Sequence, residues 1–306
     1  MNTVKLVSGG IDSYIMSQEF EGTNVYIDFG QKYAEMEKRA LKSLCVPFDE
    51  ISVNSKFKDG EIYIPDRNLT FASLVAMIYN PDRIMLAGLA DDNCEDKNPE
   101  AFRIMSNTIS QFAGKRIEVE SPYFGLTKGE LVYRFLDKDK LIKAMNLRKT
   151  FSCYKPNADG RPCGNCPACL RKAIALETNG VRCEYSVNFD IVREYLKKIH
   201  TYQPDRISRF FIWLKQYYDV NAVDIDGVIC QETGRYEDRK PLKRNIEAVN
   251  NLPGIIVLYS ARLEIDRDVT ETWLRQHEVR YDALILGKMP YSVLYDDHAI
   301  NTKETI

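Results

Sequence analysis

Val4-Lys5-Leu6-Val7-Ser8-Gly9-Gly10-Ile11-Asp12-Ser13 reads as a short strand, a glycine turn and the start of a helix. Two consecutive glycines let the backbone fold so that successive amides face one cavity, and the helix that follows adds its positive end. Ser8 and Ser13 add hydroxyl donors, so the stretch suits an anionic phosphate group. A Gly-Gly pair alone is more often an ordinary strand-to-helix turn with Asp12 as a cap; the full Ser-Gly-Gly-x-Asp-Ser string after a strand is far more specific.

Working outward, short β-rich runs alternate with helical patterns, which predicts βαβ units and a parallel sheet. Strands are expected at 4–7, 25–29, 48–53, 84–87 and 116–120, and helices from Asp12, over 34–44, 71–79, 99–112 and 128–135. Residues 154–167 hold three prolines and two glycines and form a loop that something must organise. An aromatic and basic stretch, 202–218, contains the expected domain boundary. Beyond it, runs at 222–225, 255–259 and 283–286 predict a second, smaller α/β domain. The expected division is residues 1–205 and residues 218–306.

The 306 residues are 44% hydrophobic and 28% charged, close to the globular average, which excludes collagen-like, low-complexity and disulfide-scaffold classes. With 42 Lys and Arg against 44 Asp and Glu, no global positive field coats nucleic acid, although a local groove stays open. No apolar run reaches the roughly 20 residues of a membrane span, and the first residues lack signal-peptide character, so a cytoplasmic location is expected.

Of eight cysteines, Cys153, Cys163, Cys166 and Cys169 crowd 17 residues in a C-x9-C-x2-C-x2-C pattern. Two tight turns let the last three sulfurs converge while Cys153 reaches across, which suits a structural zinc ion; an iron-sulfur cluster or a redox pair are the competing readings.

Further segments sit in a recognisable order. They are Asp28-Phe29-Gly30-Gln31-Lys32-Tyr33, Ile64-Pro65-Asp66-Arg67-Asn68, Gly88, Leu126-Thr127-Lys128-Gly129-Glu130 and Phe151-Ser152-Cys153-Tyr154. Together with the phosphate loop, they make residues 3–175 resemble the ATP pyrophosphatase (PP-loop, adenine nucleotide alpha hydrolase-like) family. Within it, the resemblance narrows to the QueC-type 7-cyano-7-deazaguanine synthases. The resemblance implies an α/β, parallel-sheet PP-loop domain with a zinc knot. It further implies ATP binding by Ser8, Gly9, Gly10, Asp12, Ser13, Gln31 and Lys128, with Asp12 and Lys128 in catalysis, and substrate binding by Arg67, Asn68 and Glu100. The family's substrate loop usually reads Asp-Cys-Arg-Pro-Glu-Phe, whereas this chain has Glu95-Asp96-Lys97-Asn98-Pro99-Glu100-Ala101-Phe102, without the arginine.

In the second domain, Asp224 and Asp226 stand two residues apart where a strand is expected to end, so both should point the same way. Ser260, Lys288 and Asp296-Asp297 follow in order, and the set resembles the haloacid dehalogenase-like (HAD) phosphatases on a small Rossmann-like fold. That resemblance implies Asp224 as nucleophile, Asp226 as general acid and base, Ser260 and Lys288 on the phosphate, and Mg2+ held by Asp224, Asp226, Asp296 and Asp297. The expected whole is an ATP-dependent ligase converting 7-carboxy-7-deazaguanine and ammonia to the nitrile, fused to a Mg2+-dependent phosphomonoesterase. The alternative is an enzyme that makes the amide or passes the activated base to another acceptor, with a vestigial phosphatase module. Partners are small molecules and a second copy in a homodimer; no membrane is involved.

Overall fold

The computed structural model describes residues 1–53, 64, 66–137, 139–232 and 234–289. Two compact units emerge, residues 1–191 with 203–209, and residues 192–202 with the chain from 210 onward.

In the first unit, β1 (Thr3–Leu6) leads through the glycine turn into α1 (Ile11–Glu19), followed by β2 (Thr23–Asp28), α2 (Ala34–Ser43) and β3 (Asp49–Ser52). The chain continues through α3 (Arg67–Tyr79), β4 (Arg83–Met85), α4 (Pro99–Ala113), β5 (Glu118–Glu120), α5 (Lys128–Leu136), α6 (Lys140–Lys149) and α7 (Pro167–Glu177). All five strands are parallel in the order β3-β2-β1-β4-β5. The order reverses between β1 and β4, and the crevice outside the carboxyl ends there is where open α/β sheets bind ligands. The phosphate loop leaves β1 at that point.

Alternation explains the core: Val4, Val25, Ile27, Ile84 and Val119 present one sheet face to Ala72 and Val75 of α3 and to Phe102, Met105 and Ile109 of α4. Lys5 is only 2% exposed in the central strand, and its ammonium donates to Phe20 O at 2.6 Å and Ser17 O at 3.3 Å. A buried cation is tolerated there because it satisfies the last carbonyls of α1, where the helix dipole is negative. At the free side of β5, Ser110 Oγ accepts from Ile117 N at 2.8 Å and donates to Ile117 O, while Ser106 Oγ accepts from Val119 N at 2.8 Å.

The second unit takes in the end of α8 (Phe189–Lys197) and the latter part of α9 (Pro204–Leu214). Then come β6 (Val220–Val223), α10 (Lys243–Asn250), β7 (Ile255–Tyr259), α11 (Arg267–Gln276) and β8 (Ala283–Ile285), with the strands parallel in the order β6-β7-β8. Ile225, Ile229, Ile256, Leu258, Trp273 and Leu274 form its core.

Several sequence expectations need correction. Within the stretch 202–218, residues 204–214 form α9, with Phe210, Trp213 and Leu214 buried and the Tyr195 and Phe210 rings 4.6 Å apart. Their spacing is that of an amphipathic helix face. Helix α6 was not anticipated, because its apolar residues Leu141, Ile142 and Met145 are exposed and give no core-facing pattern. Helix α3 starts at Arg67 rather than Phe71, so Arg67 and Asn68 stand on its first turn. In the second unit, β6 stops at Val223, and Asp224 and Asp226 lie beyond it. No helix among the described residues is long and apolar enough to cross a membrane.

Candidate functional site

The phosphate loop is shaped by glycine at one position above all. Gly9 has φ +71, and a Cβ there would stand 2.7 Å from the Glu37 carbonyl oxygen, so no larger residue fits. Gly10 caps α1 without any side-chain bond, which leaves the first-turn amides facing outward for an anion. The Ser8 amide donates to Ser13 Oγ at 3.1 Å and the two hydroxyls lie 3.3 Å apart, so Ser8 and Ser13 form one edge of the cradle.

Lys128 reaches the same place from α5. A Thr127/Glu130 capping box fixes the helix start, Lys128 N donates to Asp91 Oδ1 at 3.0 Å, and the ammonium pairs with Asp12 at the first turn of α1. The expected union of Ser8, Gly9, Gly10, Asp12, Ser13 and Lys128 is therefore one local constellation. Gln31 is oriented otherwise: its amide donates to Tyr26 OH at 2.7 Å and to Glu37 Oε2 at 3.2 Å. That arrangement gives it a supporting part under the loop instead of a direct place in the cradle.

Burial pushes the Glu37 carboxyl up to about 8, against the ordinary 4.5, despite hydrogen bonds from Gln31 and Tyr26. Between those two pH values the folded protein keeps a proton that the unfolded chain has released, so stability falls as pH rises through that window. Glu37→Gln is expected to flatten that slope and to be more stable than the parent at pH 8.5, by something on the order of 1–3 kcal/mol. Thermal melts from pH 5 to 9 measure it; parallel curves for the two proteins would reject the assignment.

The substrate side is only partly as expected. Asn68 is buried and donates to Asp96 Oδ2 at 2.8 Å. Arg67 is half-buried, and its positive field acts on Tyr33 and Tyr154. Glu100 is exposed on the first turn of α4 and forms a bidentate pair with Arg103, and no contact joins it to this cluster among the described residues.

Sequence reasoning missed Asp91, Asp92 and Arg206; it quoted Lys97 only as part of the substrate loop and left Arg171 either facing the nucleotide or solvated. Arg171 bridges Asp92 Oδ1 at 2.9 Å and Asp91 Oδ2 at 3.2 Å, Lys97 lies 3.3 Å from Asp92, and Arg206 donates to Asp91 O at 3.1 Å. Although burial alone would raise it, Lys97, Arg171 and Lys128 hold the Asp92 carboxyl well below the usual range. The adjacent acidic pair after β4 was the available signal.

The four cysteine sulfurs lie within 4.8 Å of one another. That spacing fits a tetrahedral ion at roughly 2.3 Å from each sulfur. Backbone amides support the thiolates: Lys155 N and Cys163 N donate to Cys153 Sγ at 3.4 and 3.3 Å, and Asn165 N donates to Cys163 Sγ at 3.3 Å. Gly164 makes the turn at φ +65, where a Cβ would meet Ser186 O at 2.1 Å. The knot is tied to the phosphate loop through Phe151 N, which donates to Gly9 O at 2.8 Å.

In the second unit, Lys288 pairs with Asp224. Asp224 and Asp226 do not share partners. The Asp226 carboxylate takes Arg262 Nη2 at 2.6 Å and Nε at 3.0 Å, Arg239, and Ser260 Oγ at 3.4 Å. Arg262 is fully buried, and both guanidinium groups face the Tyr236 ring, with Arg262 at 4.4 Å and Arg239 at 4.7 Å. Both Asp226 oxygens are thus committed to arginine, so its side chain is not placed as a Mg2+ ligand. Asp296 and Asp297 fall outside the described residues, and no acidic metal cluster is present among those described. Arg239 and Arg262 were not anticipated as site residues; the Ser-Ala-Arg string was the only hint.

Residues 49–180, all in the first unit, match the family described as "Queuosine biosynthesis protein QueC". Among similar curated proteins, a 7-cyano-7-deazaguanine synthase of Chlorobaculum tepidum is 23% identical over 238 residues, covering 64% of this chain and all of that protein. One from Hydrogenovibrio crunogenus is 26% identical, covering 58% and 92% respectively. One from Rickettsia africae is 30% identical over 130 residues, covering 39% and 55%.

Proposed function

We propose that the first unit is an ATP-dependent carbon-nitrogen ligase that converts 7-carboxy-7-deazaguanine to 7-cyano-7-deazaguanine. The observation that carries this reading is the Lys128–Asp12 pair set across the amide-lined Ser8–Ser13 loop, inside a unit that matches the QueC family. The loop amides and Lys128 bind the β- and γ-phosphates and leave the α-phosphorus at the mouth of the crevice. A carboxylate oxygen attacks that phosphorus, and the bond to pyrophosphate breaks with its electron pair leaving on pyrophosphate. Ammonia then attacks the acyl carbon, expelling AMP and releasing a proton, which gives the amide. A second ATP takes the amide oxygen in the same way, and loss of AMP and a proton leaves the nitrile. The cysteine knot fits zinc as a structural ion, which would hold the 151–169 segment under the loop. Purified protein given the acid, ATP and ammonium should release two pyrophosphates per nitrile; mass spectrometry of the base separates nitrile from amide. ATP consumption without any change in the base would reject the ligase reading.

For the second unit, we propose phosphomonoester hydrolysis. Asp224 attacks phosphorus and the bond to the ester oxygen breaks, that oxygen taking its electron pair and a proton from solvent; water then attacks the aspartyl phosphate, returns a proton to solvent and releases inorganic phosphate and free Asp224. The ion pair of Lys288 with Asp224 supports this reading, in which Lys288 and Ser260 hold the phosphoryl oxygens. Asp224→Asn should abolish hydrolysis of p-nitrophenyl phosphate, by at least about 1000-fold, because an amide cannot accept the phosphoryl group. Pyrophosphate release by the first unit should stay unchanged. Residual hydrolysis at the parental rate would remove Asp224 from the reaction.

A further inference from the structure

Beside the Lys128–Asp12 pair, two further cations stand on the β4–α4 loop and the first turn of α3. Arg67, at the first turn of α3, is half-buried, and its guanidinium makes no hydrogen bond or ion pair among the described residues. Its charge acts on Glu37, Lys97, Tyr33 and Tyr154. Lys97, whose side chain is 24% exposed, lies on the loop between β4 and α4 and has Asp92 as its ion-pair partner. Asp92 is already shared with Arg171 at 2.9 Å. The chain neighbours of the two cations are joined, since Asn68 Nδ2 donates to Asp96 Oδ2 at 2.8 Å, which brings Arg67 and Lys97 to one side of the crevice. Asp92 and Asp12 act on Lys97 and favour its charged form, so the ammonium is held ready for an anionic group.

Beside them stands an aromatic pair. The Tyr154 ring is 5.8 Å from Tyr33, and Tyr154 remains 38% exposed at the surface of the cluster. Tyr154 follows Cys153 directly, so the cysteine knot fixes its position. A flat ring can lie against an exposed tyrosine, and a cation above it can take an anionic substituent.

We propose that Lys97 and Arg67 form a carboxylate subsite, which binds the acid group of a planar heteroaromatic substrate whose ring rests on Tyr154. This inference rests on the ligase reading above and deepens it by naming the residues that recognise the group to be activated. The two cations hold the carboxylate at the mouth of the phosphate crevice, so that one oxygen is presented to the α-phosphorus. No proton is transferred to or from Lys97. Its part is recognition and orientation, and the network of Asp92 and Arg171 keeps its ammonium in place.

The test uses the full-length protein and isothermal titration with four probes: 7-carboxy-7-deazaguanine, 7-deazaguanine, indole-3-carboxylate and a non-hydrolysable ATP analogue. Lys97→Met should weaken 7-carboxy-7-deazaguanine about 10- to 100-fold while leaving 7-deazaguanine and the ATP analogue within about twofold. Lys97→Arg should recover most of the loss, and Arg67→Met should repeat it. Retained nucleotide affinity also shows that the variants fold. Equal losses for the acid and the ATP analogue would make Lys97 a phosphate cation and overturn the subsite; no loss for any probe would leave Lys97 as a partner of Asp92 alone and overturn it too. If the parent binds indole-3-carboxylate in a Lys97-dependent way but ignores the deazaguanine acid, the subsite stands and the named substrate falls. Binding of neither acid overturns both.

Discussion

Cys166→Ser is expected to lose the bound metal and to unfold the 151–185 region, with ATP turnover lost in consequence. Cys166 is 1% exposed, caps the start of α7 and shares the sulfur cluster with Cys153, Cys163 and Cys169. Structural zinc contributes about 10–16 kcal/mol of apparent binding energy in small zinc peptides, more than a typical domain's whole stability. The loss should spread to the nucleotide because Phe151 N holds Gly9 O, so a displaced knot frees the turn that shapes the cradle. Metal analysis of the parent should give close to one zinc per chain, and the variant should give almost none with a lower melting temperature. Iron with visible absorbance from an anaerobic preparation would overturn the zinc assignment.

Lys128→Ala is expected to lower the rate of pyrophosphate release by about 100- to 1000-fold with the fold intact. Lys128 is the first residue of α5, and the Thr127/Glu130 capping box that starts this helix does not involve its side chain. What disappears is the positive charge that offsets the leaving pyrophosphate, together with the ion pair that holds Asp12. Asp12 would then stand unpaired beside an anionic nucleotide, which adds repulsion. Single-turnover kinetics at saturating ATP should show the loss in the chemical step. A change confined to KM would mean that Lys128 only helps ATP to bind.

The local parts of this site were legible in the sequence because their physics is local. A strand, two glycines and a helix start build the cradle within 4–13, and the cysteine spacing describes its own knot. The network around Asp92 was not legible, because Arg171 meets Asp91 and Asp92 from about 80 residues away, and charge alone names no partner. The pairing of Glu100 was not read for a related reason: its i,i+3 spacing to Arg103 sets its partner only once α4 forms. In the second unit, the burial of Arg262 against Asp226 was not legible, since it depends on Thr270 and Tyr236 arriving from other segments.

Ser106 and Ser110 of α4 answer the outward backbone groups of β5, and this bears on how the protein behaves in a crowded mixture. A parallel sheet presents its last strand as a template on which a stray chain can add. Here two hydroxyls one helical turn apart already occupy the amides and a carbonyl that such a chain would need. An incoming strand would have to displace both before gaining its first bond. The sheet is therefore terminated by its own helix, which guards against runaway stacking on that side without a charged residue or proline in the strand's outward backbone positions. Any pairing of copies must accordingly proceed through side-chain surfaces instead of through continuation of the sheet at β5.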